Sequence, residues 1–279
     1  MSLRKYNPVL MPMLSSLLIL GIWFGIGSLI EQSRITKDGY SREDAVGSRK
    51  VVLPLPNEVL QAIVDERHDL FRAARNTFSA ALLGFLAAVT IGYSVSMLFA
   101  SSHLLKQTAY PWILVLQMTP VIILAPIIAI WIGPGLIATS MITFLIGFFP
   151  VIANSTQGLI STDKKLLSLF AICNARKSQE IMFLRVPYSM PYFLTGMKIA
   201  GTLAPIGAIT GDIFVGTSTS GGAGLGFMTL SYISSAKISA LFATATIACI
   251  IGFIFVGGVN LIHWLALKNW HDSIAKTDT

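Results

Sequence analysis

The chain has 279 residues, of which 54% are hydrophobic and only 12% charged, against roughly a quarter charged in an ordinary soluble domain. Such a chain cannot bury enough of its apolar surface to live in water, so a soluble globular fold is excluded. The formal charge of +7 does not point to nucleic acid, because the basic residues are spread through connecting segments and not gathered on one face.

Uncharged runs extend from Pro8 to Ile30, Asn76 to Ser102, Gln107 to Thr162 and Ile238 to Leu267, counting His as neutral. A helix needs about 20 apolar residues to cross the ~30 Å hydrocarbon layer. The first crossing is predicted over residues 9–30. It follows Arg4 and Lys5 as a signal peptide would, yet it runs to Glu31 with no A-x-A cleavage site, so it is expected to be retained. The polar stretch from Glu31 to Arg75 holds eight acidic and eight basic residues. Within it, Leu53-Pro54-Leu55-Pro56-Asn57-Glu58 is expected to end an extended piece and cap a short surface helix.

The second crossing is predicted over 74–100, and the connection from Ser101 to Thr108 turns the chain back. The long run that follows is divided at Gly133-Pro134-Gly135 into crossings over 110–132 and 136–159. Pro111, Pro120 and Pro126 fall inside the first of these. Such prolines are tolerated in a membrane where neighbouring helices or cavity waters satisfy the freed carbonyls, so they suggest an interior wall.

A second polar segment, residues 161–190, interleaves Asp163, Lys164, Lys165, Arg176, Lys177, Glu180 and Arg185 with apolar residues. The spacing predicts amphipathic helix beside the membrane, capped by Thr162 or Asp163 and broken at Asn174. The last crossings are predicted over 191–215 and 239–267, with a Gly/Ser/Thr-rich turn over 216–226. The fold expected is therefore all-α and polytopic, one membrane domain with six crossings. Both termini then lie on one side, which the Lys and Arg near the N-terminus, at 106, from 164 to 185 and at 268 favour as cytoplasmic.

Asp212 is the lone carboxylate of its predicted crossing. An ionisable group inside a span costs ~2.5 kcal/mol or more at the helix centre and usually faces a partner or a water-filled path, so Asp212 either lines a translocation pathway or serves as a structural cap. Gln117, Thr119 and Asn154 are further candidates to line a path, or else bond between helices. Gly222, Gly224 and Gly226 form a glycine-rich stretch without the Gly-Lys-Ser/Thr ending of a nucleotide loop, which leaves a tight turn or a re-entrant gate segment. Cys173 and Cys249 lack metal-ligand spacing, the four His residues form no H-E-x-x-H pair, and no G-x-S-x-G elbow occurs. The chain thus carries no catalytic motif, no metal site and no cofactor of its own.

Several motifs resemble permease subunits of bacterial ABC importers of the nitrate/sulfonate/taurine group. They are Leu53 to Leu60, Pro150 with Asn154 and Gly158, Thr162 to Leu167, Val186 to Pro191, Thr195 to Ala200, and Gly224-Leu225-Gly226. That family carries a cytoplasmic coupling element, Glu-Ala-Ala, three residues, Gly, then about twelve residues before Pro. Counted back from Pro187, the Gly position falls on Asn174 and the Glu-Ala-Ala positions on Ser168, Leu169 and Phe170; the spacing is kept and the letters differ. Asn is the usual substitute for Gly where a left-handed backbone is required.

The resemblance implies that two permease copies enclose a pathway in the bacterial inner membrane. It implies that Asn174, Ala175, Arg176, Lys177, Ser178 and Gln179 dock on a cytoplasmic ATPase, which binds ATP and Mg. A periplasmic binding protein would deliver a small solute to the other face, and Asp212 falls where relatives commonly carry an acid. The competing reading is a stand-alone secondary transporter or channel with Asp212 in its pathway.

Overall fold

The structure is a computed structural model that describes residues 18–19, 21–29, 53–217 and 223–267. Among these residues the regular structure is all helical, without strands. Residues 21–29 form helix α1, and the other helices in chain order are α2 (Pro56–Asp65), α3 (Arg67–Ser101), α4 (His103–Gln117), α5 (Val121–Ile132), α6 (Leu136–Ile160), α7 (Lys164–Ile172), α8 (Val186–Val215), α9 (Leu225–Ser234) and α10 (Ile238–Leu267). Lys177–Gln179 and a π-helical turn at Glu180–Arg185 lead into α8 without a break.

The helices from Arg67 to Ser101, Leu136 to Ile160, Lys177 to Val215 and Ile238 to Ala266 are each long and apolar enough to cross a membrane. The pair α4 and α5 passes the same test together but is bent by 99°. Of the six expected crossings, half of the first lies outside the described residues. The crossing expected as one helix over 110–132 requires correction. The helix begins at His103, capped by the Ser102 hydroxyl, which accepts from the Leu105 N–H at 3.3 Å, and it stops at Gln117. Pro120 supplies no N–H and disfavours helical geometry at Thr119, so the chain closes α4 with short-range bonds, Thr119 N–H to the Leu116 carbonyl at 3.1 Å. Pro111 and Pro126, by contrast, are accommodated inside α4 and α5. Two further bounds move: α3 starts at Arg67, before the predicted Ala74, and α8 at Val186, before the predicted Pro191.

Contacts divide the chain into two compact units: residues 1–70 with 229–246, and residues 71–228 with 247–279. In the first unit Trp23 on α1 donates its indole N–H to the Pro54 carbonyl at 3.1 Å, and its ring lies 6.0 Å from that of Phe242, tilted by 34°. Pro56 occupies the first turn of α2, and Glu58 reaches back to accept the Leu55 N–H at 2.9 Å, the cap expected from the Leu-Pro-Leu-Pro-Asn-Glu pattern. Between α9 and α10 the chain turns through Ala236 at φ 59°, and Lys237 pairs with Glu66 at 2.5 Å.

The second unit is built on α6 packed along α8. Helix association in lipid depends on close van der Waals contact, which small residues allow. Gly196, Gly207 and Gly211 of α8 lie against Pro150, Thr143 and Thr139 of α6, and a Cβ at Gly196 would stand 2.9 Å from the Pro150 carbonyl. α3 and α10 cover this pair through Phe85 and Phe255, whose rings meet edge to face at 5.4 Å. Gly133 and Gly135 turn the chain into α6 with φ of 88° and 122°, and the Gly135 N–H bonds the Val215 carbonyl at 2.8 Å, tying this turn to the end of α8.

Candidate functional site

Asp212, in the last turn of α8, is 3% exposed. Its Oδ2 accepts the Thr77 hydroxyl of α3 at 2.5 Å. The same Thr77 oxygen accepts the N–H of Leu225, the first residue of α9, at 2.8 Å. The Gly226 N–H also bonds the Asp212 carboxylate, and the Thr139 hydroxyl interacts with it without forming a full hydrogen bond. Asn76, beside Thr77, donates its amide to the Ala223 carbonyl at 3.0 Å. Asp212 therefore sits at the N-terminus of α9, where unpaired N–H groups and the helix dipole favour an anion.

The glycines around Asp212 follow from this approach. A Cβ on Gly224 would stand 1.8 Å from Asp212 Oδ2, and one on Gly226 would stand 2.2 Å from the Ile209 carbonyl. Gly224 and Gly226 let the chain lie directly on α8, and Gly222 lies outside the described residues. The ten-residue α9 that begins here was not expected from the sequence. Its apolar stretch is too short to signal a crossing, and its cap is supplied by residues distant in the chain.

The other path candidates do not gather at Asp212. Gln117 ends α4 and is exposed, Thr119 lies in the α4–α5 break, and neither is hydrogen-bonded to Asp212 among the described residues. Asn154 spends its amide on its own helix, donating to the Pro150 carbonyl at 2.8 Å.

The second candidate region is the segment after α6. Asp163 caps α7, its Oδ1 accepting the Lys165 N–H at 2.9 Å, and Ser168 bonds back to the Lys164 carbonyl at 2.9 Å. Leu169 and Ile172 are exposed, and Phe170 is half-buried. At Asn174 the backbone takes φ 54°. The Ala175 N–H then returns to the Phe170 carbonyl at 3.0 Å and the Asn174 N–H to Ala171 at 3.1 Å, the pairing of a left-handed helix end. Gln179 accepts the Arg176 N–H at 2.8 Å, which starts the next helix. Arg176, Lys177, Ser178, Gln179 and Pro187 are exposed, and Ala175 is half-buried.

Residues 80–263 match the family described as binding-protein-dependent transport system inner membrane component. A formylaminopyrimidine transport permease of Halalkalibacterium halodurans is 29% identical over 77% of this chain and 85% of its own length. A putative aliphatic sulfonates transport permease of Bacillus subtilis is 24% identical over 74% of this chain and 72% of its own. A nitrate import permease of Synechocystis is 24% identical over 64% of this chain and 61% of its own. The matched residues include the α6–α8 pair, the segment between them, Asp212 and the start of α9. The chain belongs to the family of binding-protein-dependent transport system inner membrane components, as an ABC importer permease of the nitrate/sulfonate type.

Proposed function

We propose that this chain forms the membrane pathway of an ATP-driven importer for a small solute. A periplasmic binding protein delivers the solute, and a separate ATPase is engaged through residues 168–187. The observation that carries this reading is the exposed α7–Asn174–Gln179 segment. It projects apolar and basic side chains, is bent once by a left-handed residue, and continues without interruption into the helix bearing Asp212. A load applied at Arg176 to Gln179 thereby acts on a span. ATP and Mg belong to the ATPase, and this chain supplies the surface on which nucleotide-driven closure acts.

Two copies of the chain enclose the pathway, with both termini in the cytoplasm. The α4–α5 break supports a route near Gln117 and Thr119, because irregular backbone at membrane depth is tolerated where it is buried in protein or lines a water-filled cavity. In this reading Asp212 holds α9 in place and is not an ion-coupling group: Thr77 and the Gly226 N–H already occupy its carboxylate. Relatives named for formylaminopyrimidine, aliphatic sulfonates and nitrate support a solute of that size, selected largely by the binding protein.

The test is copurification from the native membrane with a single charge reversal, Arg176→Glu. Lys177 is unsuitable for this purpose because it is paired with Glu180 at 3.0 Å. Release of a nucleotide-binding subunit by Arg176→Glu supports the docking surface; full retention places the contact elsewhere.

A further inference from the structure

At the base of α8 the helical spacing changes. Glu180–Arg185 form a π-helical turn, and one carboxylate within it serves two cations. Glu180 Oε1 accepts from Arg185 Nε at 2.7 Å and lies 2.6 Å from Arg185 Nη2, while both Glu180 oxygens accept from Lys177 Nζ, at 3.0 and 3.1 Å. On an α-helix, residues five apart are turned by roughly 140° from one another, and side chains pair at three or four residues. On such a helix Glu180 and Arg185 would point to different faces. A π turn, which closes i→i+5 bonds, brings them to one side. The pair and the turn therefore support each other.

Arg185 also reaches outside the turn. Its Nη1 donates at 3.4 Å to the carbonyl of Leu159, in the last turn of α6, where carbonyls lack intrahelical partners. The backbone between α6 and α7 at Ser161 to Asp163 is not helical, so the Arg185 bond is a side-chain tie between the turn and the end of α6. The Glu180 and Arg185 side chains are only 19% and 15% exposed, so water screens this link less than a surface pair.

We infer that Glu180 and Arg185 are positioning residues for energy transfer: they hold the π-helical turn and fasten it to the end of α6, so that α6 and α8 move together when the Arg176 to Gln179 segment is displaced. The inference rests on the proposed docking of that segment on an ATPase.

The test uses the full chain with its copurified ATPase in nanodiscs. Cys173 and Cys249 are replaced by Ser, and spin labels are placed on cysteines introduced at exposed Gln157 and Met182. Distances are measured without nucleotide and with ATP, Mg and vanadate. With Glu180 and Arg185 intact, one narrow distance is expected in both states. With Glu180→Gln or Arg185→Gln, the distribution should broaden at least twofold, and most on nucleotide trapping, a dependence that a merely structural role would not produce. Arg185→Lys, which keeps the charge without the forked contact, should fall between. Glu180→Gln retains the Arg185 bond to Leu159 and serves if Arg185→Gln does not fold. The same narrow distance in both Gln variants, with and without nucleotide, would overturn the inference. Absence of any ATPase from the unaltered chain would contradict the docking reading instead, and the nucleotide-free distances would still test the link.

Discussion

Thr77 donates to Asp212 and accepts from Leu225, so one hydroxyl joins α3, α8 and α9. Thr77→Val keeps the shape but removes the hydroxyl that donates to buried Asp212 and accepts from the Leu225 N–H, at a cost of about 1–3 kcal/mol. Thermal unfolding of the purified chain should show a clear loss for Thr77→Val and little for Thr77→Ser. Gly224→Ala places a methyl on Asp212 Oδ2 and should abolish transport while leaving the amount of chain in the membrane largely unchanged; normal transport would show that α9 does not need this approach. At Asn174, φ 54° costs a β-branched residue about 1–2 kcal/mol, whereas Gly adopts it freely. Asn174→Gly should therefore preserve ATPase copurification and Asn174→Val should reduce it. Asp212 was visible in the sequence as a lone carboxylate in an apolar run. Its partner was not, because Thr77 lies 135 residues away, and a threonine in an apolar helix has nothing to mark it out.

The elements were legible where composition changes sharply. Gly133-Pro134-Gly135 separated α5 from α6, Asp163 capped α7, and Pro56 with Glu58 opened α2. Three features escaped. The bend at Met118 to Pro120 was hidden because Pro111, Pro120 and Pro126 look alike in sequence, and packing decides which of them breaks a helix. The π turn has no residue pattern of its own, and α9 is too short for a periodic signal. The α6–α8 seam yields a prediction at this scale. Gly196→Val should force the helices apart at the Pro150 carbonyl and lower the unfolding temperature, whereas Ile199→Val, on an exposed face of α8, should change it little.

For the whole molecule, hydropathy and charge placement were enough to establish an all-α membrane protein, because the bilayer leaves few alternatives to apolar helices of this length. The function depended on something less general: an exposed amphipathic segment that continues into a span. Under the proposed function this segment is the surface on which the ATPase docks. The most direct measurement is purification of the tagged chain from its native membrane, with identification of the proteins that accompany it and an ATP hydrolysis assay. The account predicts a copurifying nucleotide-binding subunit with ATPase activity, released by Arg176→Glu. A chain that purifies without such a subunit and moves solute in liposomes without ATP would contradict it.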